Sequence, residues 1–106
     1  MAKYLLQGSY TAEGSKGLLK DGGSKRRAAA KTLIESLGGK LECIYFAFGE
    51  TDVVAIVDMP DPASAAAASL TIGASGGLTG KLTVLLTPEE IDQAAKKSAT
   101  YTPPGR

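Results

Sequence analysis

FAFGETDVVAIVDMPD, residues 46–61, is the stretch on which the reading of the fold turns. Its second half, Thr51 to Met59, is β-branched and aliphatic and reads as a strand. Gly49 and Glu50 before it read as the turn of a hairpin whose first strand runs from Lys40 to Phe48. A strand with one wet face alternates apolar with polar residues. Here Val53, Ala55 and Val57 lie on one side, yet Val54 and Ile56 occupy the other. The first strand repeats the pattern, with Cys43, Tyr45 and Ala47 against Ile44, Phe46 and Phe48. Both faces of this hairpin are therefore expected to be covered. The apolar run stops at Asp61-Pro62, where an N-capping carboxylate precedes a proline at the first helical position, so a helix is expected over about Pro62 to Ser75.

Outward from this centre, Lys3 to Tyr10 reads as a first strand. The following TAEGSKGLLKDGG holds four glycines, each costing about 1 kcal/mol against alanine inside a helix. At most a short irregular helix is expected there. From Ser24, a candidate cap, Ala30, Leu33, Ile34 and Leu37 recur at helical spacing, and Gly38-Gly39 supply a left-handed stop. The 62–75 helix is nearly all Ala and Ser, which lets it lie close to a sheet, and Gly76-Gly77 end it. Lys81 to Thr87 reads as the fourth strand. Thr87-Pro88-Glu89-Glu90 matches a capping box and predicts a third helix through about Lys96. One domain is expected over residues 1–96, with a mobile tail over 97–106.

The order strand, helix, strand, strand, helix, strand is the α+β, ferredoxin-like βαββαβ pattern, a four-stranded antiparallel sheet with strands one and three central. Right-handed crossovers put the helices on one face. The other face then needs a cover, and self-association into a homodimer or higher oligomer supplies it more economically than the third helix and tail or a wide ligand groove.

Composition narrows the function. Twelve basic and eleven acidic residues give a formal charge of +1, so no net field draws the chain to nucleic acid or a membrane surface. The absence of His removes Ser-His-Asp and Cys-His catalysis and the usual imidazole metal sites. A single Cys43 forms no internal disulfide and reads as packing. The amino terminus lacks a long apolar segment, and a cytoplasmic protein with no cofactor is expected. Neither GxxxxGK[ST] nor GxGxxG occurs.

The segments YLLQGSYTAEGSKGLLKDGGSKRR, FAFGETDVVAIVDMPD and LTVLLTPEEID together resemble the GYD-domain family of small bacterial and archaeal proteins, over about residues 3–96. The resemblance implies a dimeric α+β barrel, in which two such sheets pack face to face. It implies no activity. Thr51 stands where the family's motif has tyrosine. Related barrel families include cofactor-independent monooxygenases and muconolactone-isomerase-like enzymes, which is analogy by fold alone.

Two sets of candidate site residues follow. Asp52 at the hairpin is a candidate base, with Tyr10 and Tyr45 as phenols able to orient a carbonyl, although an acidic residue there also serves a turn. GGSKRR, residues 22–27, sits at a helix N-terminus, where free N–H groups and the dipole favour an anion, and Lys16, Lys20, Lys25 and Arg26 are candidates to reinforce that site. No metal-ligand spacing appears. Three functions stay open: a module holding a small apolar or anionic ligand between sheet and helices, a cofactor-independent enzyme on a carbonyl or aromatic substrate, and a purely structural assembly protein.

Overall fold

A computed structural model describes residues 1–47 and 49–106. Its elements are β1 (Ala2–Tyr10), α1 (Ala12–Asp21), α2 (Gly23–Ser36), β2 (Lys40–Phe46), β3 (Val53–Met59), α3 (Pro62–Ala74), β4 (Leu78–Leu85) and α4 (Pro88–Lys96). The four strands form one antiparallel sheet in the order β2-β3-β1-β4, the ferredoxin-like arrangement. β3 begins at Val53, two residues after the expected Thr51, and Ala47 N–H donates to the Asp52 carbonyl at 2.8 Å. The expected end of the hairpin's first strand, Phe48, lies outside the described residues.

Helices cover one face only. Val53, Ala55, Val57 and Met59 are buried while Val54, Ile56 and Asp58 between them are half-buried, which fixes which side of β3 carries the core. That core joins Tyr4, Val57 and Met59 of the sheet to Ile34 of α2 and Ala65 and Ala68 of α3. Alanines at 65 and 68 let α3 approach the sheet without large side chains intervening. Asp61 accepts from Ser64 N–H at 2.7 Å and Pro62 follows, so α3 begins where the sequence places it.

The segment after β1 is a regular ten-residue helix, not a short irregular one. Tertiary contact outweighs the glycine penalty. Thr11 caps α1 by accepting from Gly14 N–H, and it donates its own N–H to the Gly77 carbonyl and its hydroxyl to the Gly76 carbonyl. A Cβ added to Gly14 falls 1.9 Å from the Gly77 carbonyl oxygen, so only glycine lets α1 start against this loop. Ser24 does not cap α2. Gly22, at φ +81°, turns the chain from α1 straight into α2, so the N-cap position falls two residues before the serine.

β4 begins three residues before the expected Lys81, because Gly80 belongs to the strand instead of interrupting it. It pairs with Gly8, and a Cβ there falls 2.9 Å from the Gln7 carbonyl. A bulge in β2 at Glu42 re-aims that strand, setting Leu41 opposite Val57 on the helix side and Cys43 opposite Ile56 on the other. The capping box of α4 is present, with reciprocal bonds between Thr87 and Glu90 at 3.0 and 3.1 Å.

Every residue of α4 is exposed, and the helix leaves the body without covering either face of the sheet. The molecule is 57 Å in its longest dimension, and its radius of gyration is 16.9 Å. A compact chain of this length has about 13 Å. No helix among the described residues is long and apolar enough to cross a membrane.

Candidate functional site

Packing is tight where α2 ends and α3 begins, and it opens toward the other end of the sheet. There, Tyr10 closes β1 and faces Leu78 at the start of β4. The space between sheet and helices is a cavity of about 400 Å³. Its floor comes from the strands, through Leu6, Leu41, Ile44, Val53, Ala55 and Val57. Its roof comes from Gly14, Gly17 and Leu18 of α1, Ala29, Ala30 and Leu33 of α2, and Ile72 of α3. Such a volume and an aliphatic lining with few polar groups are usual for small-molecule sites.

The charged lining among the described residues is Asp21 and Arg26, which flank the α1–α2 junction. Asp21 Oδ2 lies 3.7 Å from Arg26 and Asp21 Oδ1 lies 3.7 Å from Lys25 Nζ. Burial pushes the Tyr10 phenol above its ordinary value, and the Arg26 guanidinium beside it pulls the other way. Tyr10 and Arg26 therefore meet at the cavity, although sequence places them on separate elements and in separate candidate sets. Asp21 belonged to neither set. Its only signal was position, an acid directly before GGSKRR.

Two kinds of glycine stand in α1. Gly14 is required by the Gly77 carbonyl, whereas a Cβ added to Gly17 meets no atom within 4 Å. Packing gives Gly17 no reason to lack a side chain, and mid-helix glycine costs about 1 kcal/mol against alanine. What its absence preserves is room at the cavity.

The remaining candidates lie apart. Tyr45 pairs with Val54 on the helix-free face and is 69 % exposed, across the sheet from Tyr10. Asp52 accepts from Tyr10 N–H through Oδ2 at 2.9 Å, while its own N–H donates to the Gly8 carbonyl at 2.8 Å. Those bonds lock the hairpin loop to the end of β1, and Asp52 is not among the cavity residues. Lys16 is an exposed partner of Glu13 at 3.8 Å, and Lys20 is exposed in the last turn of α1. Of the four basic candidates, Arg26 alone lines the cavity. The first turn of α2 has neither an acidic residue nor a side-chain cap.

The helix-free face has its own pattern. Thr83, Leu5, Ile56 and Cys43 form one row across the sheet, and Lys81, Gln7, Val54 and Tyr45 the next, so the apolar part of this face lies over β2, β3 and Leu5 while β4 is polar in these rows. A charged rim borders them: Lys3 donates to Glu42 at 2.9 Å and to Asp58 at 3.0 Å, and Lys40 stands opposite Asp58. Both carboxylates hold the Lys3 ammonium above its ordinary value.

Comparison with known proteins agrees with this architecture. No curated protein and no solved structure matches the chain significantly. The model of the GYD domain matches residues 4–95, nearly the whole sequence, and the chain therefore belongs to the GYD-domain family.

Proposed function

We propose that this protein is a small-molecule-binding module that works as a homo-oligomer, taking its ligand into the cavity between sheet and helices and meeting a second copy through the helix-free face. The cavity carries the reading. A chain this short has one thin core, and leaving about 400 Å³ of it open beside an unexplained mid-helix glycine sacrifices stability that a single side chain would recover. The second copy is supported by the helix-free face, where Leu5, Val54, Ile56, Cys43 and Tyr45 form an apolar patch bordered by polar and charged residues, the anatomy of an interface. The enzyme reading with Asp52, Tyr10 and Tyr45 has less support, because these three side chains do not converge.

Filling the cavity tests this reading. Gly17→Leu should raise the thermal midpoint through helix propensity and abolish the fluorescence gain of Nile red that the wild type shows. Nile red binding equal in the two proteins, or absent from both, contradicts the cavity as a ligand site.

A further inference from the structure

This inference rests on the cavity being a ligand site and specifies what enters it. We propose that the ligand is an amphiphile carrying one carboxylate, which pairs with the Arg26 guanidinium and accepts from the Tyr10 hydroxyl while a hydrocarbon body lies among Leu33, Leu41, Ile44 and Val53.

Charge sets the sign of the head group. Asp21 has two cations at 3.7 Å, Lys25 and Arg26, so one of them suffices to balance it and one positive charge remains there; the Asp52 carboxylate, whose charge also reaches the Tyr10 phenol, lies outside the cavity lining and accepts from the Tyr10 N–H. Lys25 is 74 % exposed and reaches Asp21 from outside, whereas Arg26 lines the cavity, so the surplus charge belongs to Arg26. A monoanion neutralises it. A dianion leaves a net negative charge in a mainly apolar enclosure, and a cation adds to the surplus.

Geometry favours a planar head. A guanidinium presents parallel N–H groups that match the two oxygens of a carboxylate. Tyr10, a phenol and so neutral at about pH 7, supplies an O–H donor on the same side. Ser75 is less available, because its hydroxyl already donates to the Ile72 carbonyl at 2.6 Å.

The body must be mainly apolar because, among the described residues and away from Tyr10, Asp21 and Arg26, the lining is polar only at Thr71 and Ser75. A ligand with hydroxyl or amide groups along its length loses their hydration without replacement there.

A matched series of ten-carbon probes below their micelle concentrations separates the possibilities by calorimetry. Wild-type protein should bind decanoate at least about 10-fold more tightly than 1-decanol, the range expected for one charged hydrogen-bonded head, and decylamine more weakly than either. Arg26→Gln should remove about 10-fold from decanoate and leave 1-decanol unchanged, Arg26→Lys should restore part of the loss, and Tyr10→Phe should weaken decanoate less than Arg26→Gln. Equal binding of decanoate and 1-decanol by the wild type, with both lost in Gly17→Leu, overturns the carboxylate assignment while keeping the cavity as a site. Binding of no probe overturns both. The wild-type comparison needs no variant to fold.

Discussion

Tyr10 shows how one residue links the sheet to the site. Its backbone N–H holds Asp52 and its ring lines the cavity, where burial raises the phenol above the ordinary value of 10.0. Because the folded value is raised, the unfolded chain ionises first as pH climbs. The contribution of Tyr10 to stability is complete below the unfolded value and is lost as pH rises through the folded one. Urea unfolding between pH 8 and 11 should therefore show a decline in wild type that is shallower in Tyr10→Phe. Identical alkaline slopes would show that the phenol does not sense burial. Arg26 and Tyr10 could each be picked from sequence by chemical type, one from a basic run and one from a strand. Their meeting could not, since it depends on how α2 crosses the sheet. Gly17 was counted only as a helix breaker, because sequence does not distinguish a glycine that packing demands, such as Gly14, from one that leaves room.

Elements were legible where their signals are local. Asp61-Pro62 and Thr87-Pro88-Glu89-Glu90 carry their hydrogen-bond partners within four residues, and both helices start where those signals put them. The elements misread were those completed by distant contacts: α1 by Gly77 and β4 by the close pairing of Gly80 with Gly8. α4 is the opposite case, an element held by its own cap and little else. Thr87→Ala removes a capping interaction worth about 1 kcal/mol. It should abolish amide protection within 88–96 and leave the midpoint of the main unfolding transition unchanged. A fall in that midpoint would mean that α4 shares the cooperative core.

At the scale of the molecule, the two faces of the sheet differ. One carries the helices, the core and the cavity; the other displays Leu5, Val54, Ile56, Cys43 and Tyr45 inside a charged rim. The two-sided apolar pattern of β3 predicts a cover for both faces, and the helices supply it on one, burying Val53, Ala55 and Val57 and leaving Val54 and Ile56 half-buried. That pattern did not reveal that every residue of α4 is exposed, so that this helix covers neither face. Sedimentation equilibrium across a dilution series, on wild type and Ile56→Lys, puts the helix-free face to the test. The wild type should sediment as at least two copies of the 10.9-kDa chain, and Ile56→Lys as one folded copy. A wild-type protein that stays folded as a single 10.9-kDa subunit at every concentration contradicts the assignment of that face to a partner.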